Sequence, residues 1–269
     1  MCRAASEPLI WGKSGLLRRT NNHSGSYMNT RVALRTFSVL CLATGALAGA
    51  EEIAHPRQEG LEPSARLDAL VELVRAHQQN VTTLEAEFVQ VRESSMLVEP
   101  VESRGVFSYA APDRVRWEYQ SPDPISMLIT GDEMTTWYKD IEQAERVQVG
   151  RHSQRILKYL GAGSTMNDLL EYFTVSLTLP RDRSMPYKLD LAPKFEKVAK
   201  RLQGMSVWID PEIYLPLRLR YVEADGDLTD MRFEDLRVND HLPSERFELN
   251  LPTSVQVRLV ELDRPMALQ

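Results

Sequence analysis

The stretch Gly105–Tyr138, GVFSYAAPDRVRWEYQSPDPISMLITGDEMTTWY, constrains the fold more than any other part of the chain. Its aromatic residues alternate rather than cluster. Val115, Trp117 and Tyr119 share one face of a strand, and Arg114, Arg116 and Glu118 share the other. This is the period-two pattern of a strand with one apolar and one wet face. Turn residues cut the stretch at Ala111-Pro112-Asp113, Ser121-Pro122-Asp123-Pro124 and Gly131-Asp132. The reading is an antiparallel meander with an aromatic-rich concave face. Aromatics in that position are also what an ordinary core looks like.

The pattern continues on both sides. SARLDALVELVRAHQQ places Leu67, Leu70, Val71 and Val74 at helical spacing, with Ser64 as a good N-cap. The period then changes to two: Leu84, Ala86 and Phe88 share a face, as do Gly105, Phe107 and Tyr109. Met134–Tyr138 and Gln143–Val149 read as a hairpin. Residues 153–172 break the alternation. Two short apolar helical stripes, Ile156, Leu157 and Leu160 and then Met166, Leu169 and Leu170, flank Gly161-Ala162-Gly163-Ser164. Such a jointed segment is a lid candidate or a plain packed connection. Strands resume through Leu228–Val238, with an Asp225-Gly226 hairpin signal, and a last strand covers Val255–Leu259. The fold class is mainly β with α: about eleven strands in one strongly curved antiparallel sheet, an incomplete barrel, with the helix and the 153–172 segment on its concave side.

Residues 28–50 carry Arg31 and Arg35, an apolar Phe37–Leu47 core and Ala48-Gly49-Ala50 before Glu51. This is a secretory signal pattern, too short for a comfortable membrane span. A large Leu40 directly precedes Cys41, which argues against lipidation there. The division that follows is an extension over 1–27 upstream of the true start, a signal peptide over 28–50, a flexible lead-in over 51–63 and one domain over 64–269. Both cysteines, Cys2 and Cys41, fall before residue 51, so a mature chain has no thiol chemistry. Beyond residue 50 there remain 26 basic and 37 acidic residues, a net charge of about −11. That balance disfavours nucleic acid as a partner.

No catalytic or cofactor motif is present. The five His do not pair at metal-ligand spacing, and there is no G-x-S-x-G, H-E-x-x-H, P-loop or G-x-G-x-x-G. The expectation is a binding protein, not an enzyme, with no metal and no cofactor.

Several residues in order carry a family resemblance from about Ala65 to Val257. They are the strand end Phe88-Val89-Gln90, then Gly105-Val106-Phe107, Pro112, Trp117-x-Tyr119, Pro124, Gly131 and Trp137-Tyr138, and late Phe247 and Leu251-Pro252. The chain resembles the periplasmic lipoprotein carriers of Gram-negative bacteria, the LolA-like family. The resemblance implies helices forming a lid over an apolar cavity that holds the acyl chains of lipoproteins. It implies delivery from an inner-membrane ABC transporter to an outer-membrane receptor by a monomer in the periplasm. The lipid-binding set it points to includes Val115 and Trp117 lining the cavity, with Phe88, Phe107, Tyr109, Tyr119 and Trp137 around them. Leu67, Leu70, Met166, Leu169 and Leu170 are the implied lid contacts. Ala111 stands where the best-known members have an Arg that holds the lid shut. A sensor or regulator on the same fold, binding lipid or lipoprotein and acting on a partner protein, is the alternative.

Overall fold

A computed structural model describes residues 53–149 and 170–260 of the protein. They form twelve strands: β1 (Thr83–Glu93), β2 (Val101–Ala110), β3 (Arg114–Ser121), β4 (Ile125–Thr130), β5 (Glu133–Tyr138), β6 (Gln143–Gln148), β7 (Phe173–Thr178), β8 (Tyr187–Pro193), β9 (Leu202–Ile209), β10 (Pro216–Glu223), β11 (Leu228–Val238) and β12 (Gln256–Val260). Helices accompany them, among them α1 (Pro63–Gln78) and the single turn α2 (Glu196–Ala199).

All twelve strands join one open, curved sheet in the order β12-β6-β5-β4-β3-β2-β1-β11-β10-β9-β8-β7. Two meanders, β1 to β6 and β7 to β11, meet along the β1–β11 ladder. That seam holds one irregularity. Glu85 faces Arg237 while Glu87 faces Glu234, and the additional residue on β11 is taken up near Asp235, whose φ is +51°. The Asp225-Gly226 signal forms the β10–β11 turn as its sequence foretells. Gly226 sits at φ +97°, and the Glu223 N–H donates to the Asp227 carbonyl at 2.8 Å.

Several features depart from or refine the sequence reading, each with a physical cause. α1 begins at Pro63, with Glu62 as N-cap, so Ser64 lies inside the first turn rather than capping it. The fixed φ of proline suits the first helical position, and its missing N–H is no loss there. β4 shows little alternation because it is buried on both sides: Ile129 is enclosed on one face and Leu128 on the other. β12 runs parallel to β6, so the sheet is not antiparallel throughout. The chain leaves β11 at one end of the sheet and returns at the other after crossing its outer face, which fixes that direction. The polar lead-in is held in place. The Arg57 guanidinium donates to the Pro180 carbonyl at 2.6 Å and lies over the Tyr187 ring, and Arg66 donates to the Pro56 carbonyl at 3.0 Å.

The ladder assigns faces without ambiguity. Leu189, Val207, Leu219, Met231 and Gln90 lie opposite one another in turn, on the same side as Phe88 and Trp117. We call this the inner face. α1 lies on its β7–β10 half, where Leu70, Val71 and Val74 pack with Tyr187, Leu189, Leu191, Val207 and Ile209. The other half belongs to a second, aromatic cluster.

Candidate functional site: the aromatic half of the inner face

Three cross-strand rows build the aromatic cluster. In the first, Phe233, Phe88, Gly105 and Tyr119 face one another across β11, β1, β2 and β3. In the second, Phe107 faces Trp117, which faces Met127. In the third, Tyr109, Val115, Ile129, Met134 and Val147 follow in order. The rings meet at aromatic contact distances. Phe88 lies 5.0 Å from Trp117 and 4.9 Å from Tyr119, both edge-on, and Phe107 lies 4.7 Å from Trp117.

Gly105 makes this geometry possible. It lies between Phe88 on β1 and Tyr119 on β3, and its missing side chain lets the Phe88 ring reach across β2 to the β3 aromatics. A Cβ at Gly105 would stand 2.7 Å from Phe88 Cζ and would also strike the Glu118 carbonyl. The glycine is thus required by close approach rather than by a left-handed backbone.

This cluster is apolar and buried: Phe88, Phe107, Val115 and Trp117 are 1%, 2%, 0% and 4% exposed. Its polar groups are two phenols, Tyr109 and Tyr119, and the Tyr119 hydroxyl donates to Gln90 Oε1 at 3.0 Å. Burial, with Tyr221 nearby, pushes the Tyr119 phenol up to about 12, so it stays neutral and presents no charge. Rings, thioethers and branched chains of this kind bind by exclusion of water rather than by hydrogen bonds.

Of the residues singled out from sequence, the structure gathers Phe88, Phe107, Tyr109, Val115, Trp117 and Tyr119 into this one cluster. It turns Trp137 to the opposite face. Trp137 pairs with Ser126, which pairs with Glu118, and the Lys139 ammonium sits 5.4 Å from the Trp137 ring centre. Leu67, Leu70 and Leu170 pack with the α1 cluster, on the same face but against the other half of the sheet. Met166 and Leu169 lie outside the described residues. Ala111 is partly buried against the aromatic cluster. Phe233, Met231, Met127, Met134, Ile129 and Val147 also belong to the cluster and were missed from sequence. Their signal was present as apolar i, i+2 pairs, Met127 with Ile129 and Met231 with Phe233.

The outer face of the same strands is polar and carries the C-terminal crossing. Glu118 accepts hydrogen bonds from Arg116, Ser126 and Lys139. Arg116 in turn donates to the Arg246 and Glu248 carbonyls, at 3.1 and 3.0 Å, which fastens residues 246–248 to β3. Glu85 lies buried beneath, accepting from Ser108 at 3.1 Å and paired with Arg237 at 2.6 Å and Arg246 at 2.7 Å. Phe247 fills the remaining space against Ala110 and Leu128.

Burial alone would raise the Glu118 carboxyl, but the hydrogen bonds from Lys139, Ser126 and Arg116 outweigh it and hold the group below the usual carboxylate range. Asp230 is held low too, chiefly by Arg218, against its partial burial. A depressed carboxylate contributes stability that is complete above its unfolded value, about 4, and is lost as pH falls through the folded value. Thermal melts are therefore expected to hold steady from pH 7 to about 5 and to fall below about pH 4. Glu118→Gln should lower the melting temperature at pH 7 and flatten that acid drop. An unchanged acid drop in Glu118→Gln would assign it to other groups.

No helix among the described residues is long and apolar enough to cross a membrane. In comparison with known proteins, the chain is 28% identical over 189 residues to an outer-membrane lipoprotein carrier protein of Alkalilimnicola ehrlichii, covering 66% of this chain and 78% of that relative. It is 29% identical over 184 residues to one from Dechloromonas aromatica, covering 66% and 82%. Among solved structures, an uncharacterized conserved protein from Thermus thermophilus superposes with a TM-score of 0.48 at 14% identity, covering 72% of this chain and 99% of that one. The model of the family described as outer membrane lipoprotein carrier protein LolA matches residues 79–250, from the end of α1 through the outer-face crossing, and the chain belongs to that family.

Proposed function

We propose that the protein is a periplasmic carrier that holds the acyl chains of lipoproteins against the aromatic half of its inner face. The observation that carries this reading is the Phe88–Phe107–Trp117–Tyr119 cluster on one face of an open sheet, beside and not beneath α1. Each buried CH₂ of an acyl chain contributes about 0.8 kcal/mol, so this surface needs no charged contact to bind cargo. The rings now pack on one another, and an entering chain replaces ring–ring contacts with ring–acyl contacts. Leu67, Leu70 and Leu170 border the site from the α1 side. Residues 28–50 direct export and are removed, and 64–269 form the carrier domain. In this reading the cargo is received from an inner-membrane ABC transporter and passed to an outer-membrane receptor.

The test uses the protein's own fluorescence. Trp117 belongs to the inner face, whereas Trp137 and Trp208 belong to the outer face, Trp208 with Arg218 at 4.4 Å from its ring centre. Brominated palmitoyl chains are expected to quench the emission on binding, and Trp117→Phe, which keeps a ring in place, should lose most of that quenching. No quenching in the wild type, or full quenching in Trp117→Phe, would reject the site.

A further inference from the structure

The hairpin joining β1 to β2 carries its apolar residues outward. Met96 is 81% exposed and Val98 fully exposed, with Leu97 exposed between them. The turn is nonetheless bonded. The Leu97 N–H donates to the Ser94 carbonyl at 3.0 Å, and the Met96 N–H donates to the Ser94 hydroxyl oxygen at 3.2 Å. Three consecutive apolar side chains held into water on a formed turn mark a contact surface rather than scattered exposure.

Strand direction places other apolar points at the same end of the sheet. β1, β5 and β8 run the same way, so the β1–β2, β5–β6 and β8–β9 turns share one rim. Ile141 is 45% exposed in the second of these turns and Phe195 52% in the third. Tyr172, just before β7, lies edge-on to Phe195 with ring centres 6.3 Å apart. The opposite rim exposes Met185 and Ile213 singly.

Two observations select the occupant. The apolar points are spread along the rim from β5 to β8, which suits an extended flat apolar phase better than one groove in a protein. The cations near the tip are engaged: Arg92 faces Asp227 at 3.4 Å and Arg104 pairs with Glu102 at 2.7 Å, while Glu93 and Glu99 flank the tip exposed. An acidic border repels anionic headgroups and leaves an uncharged surface. We infer that the Met96–Val98 turn enters the surface of a zwitterionic lipid bilayer. Side chains of this size contribute through lost water contact, and a short apolar tip gives weak, reversible binding. The inference does not depend on acyl binding at the inner face.

The experiment places an environment-sensitive nitrobenzoxadiazole label in the full chain with Cys2 and Cys41 replaced by Ser. One protein carries Leu97→Cys, and a control carries Met185→Cys on the opposite rim. With phosphatidylcholine vesicles, the label at position 97 is expected to shift to the blue and to be quenched by nitroxide-bearing lipid, while the label at 185 stays unchanged. Adding Met96→Glu and Val98→Glu should abolish the response. No response at 97, an equal response at 185, or a response that survives the two glutamates would overturn the inference. Brominated palmitoyl binding, measured in parallel on Met96→Glu/Val98→Glu protein without a label, is expected to persist. Loss of acyl binding by the wild type with vesicle contact intact would remove the carrier reading and leave this one standing.

Discussion

Phe88→Ala is expected to lower the free energy of unfolding by about 3–5 kcal/mol, read from urea denaturation followed by tryptophan emission. Phe88 is almost fully enclosed and touches Trp117 and Tyr119 across the gap left by Gly105. Gly105→Ala should cost at least about 1–3 kcal/mol by overpacking, because its Cβ meets both the Phe88 ring and the Glu118 carbonyl. The pair then supplies a sharper test than either variant alone. Removing the ring removes one of the two clashes, so Phe88→Ala/Gly105→Ala should lose less than the sum of the single losses. It should still be less stable than Phe88→Ala, since the carbonyl remains. Strict additivity would show that the two residues do not interlock.

Arg237→Ala/Arg246→Ala is the second large expected effect. Glu85 is enclosed, whereas its two arginine partners are substantially exposed. Removing both cations strands a carboxylate with the Ser108 hydroxyl alone, and breaking a buried pair in this way costs about 3–5 kcal/mol. Glu85→Gln acts on the same cluster from the other side. It removes the charge that needs compensation and leaves two exposed cations in water, so its cost is nearer to about 1–2 kcal/mol. Adding Glu85→Gln to the double arginine variant should therefore restore part of the lost stability. A triple variant weaker than the double would indicate that Glu85 matters by packing rather than by charge.

Much of the sheet was legible because its residues alternate strictly. Val115, Trp117 and Tyr119 against Arg114, Arg116 and Glu118 gave the two faces of β3, and the ladder bears this out. The membership of the site was legible only in part. Trp137 has the composition of a lining residue, yet its face depends on whether it stands opposite Ser126 or one residue away, and register is a property of two strands at once. The half of the face that α1 covers was hidden for a similar reason. The Leu70–Val74 stripe states that one side must be buried but not against what. The outer-face cluster was hidden most deeply. Glu85, Arg237 and Arg246 are ordinary surface residue types, scattered along the chain, and only the return of the C-terminal segment over β1–β3 makes one of them interior.

That crossing also sets a schedule for assembly. β1 to β6 can pair locally, each strand with the one just made, but their outer face stays unfinished until Arg246 and Phe247 have been made. The first half of the protein is thus the last to be sealed, and its closure joins residues more than a hundred positions apart in sequence, such as Arg116 and Glu248. Contacts of that range form late and slowly. In the interval Leu128 and Ala110 lie open on the outer side, so a chain stopped before Phe247 would present a sticky, half-clad sheet, a natural target for quality-control proteases and chaperones.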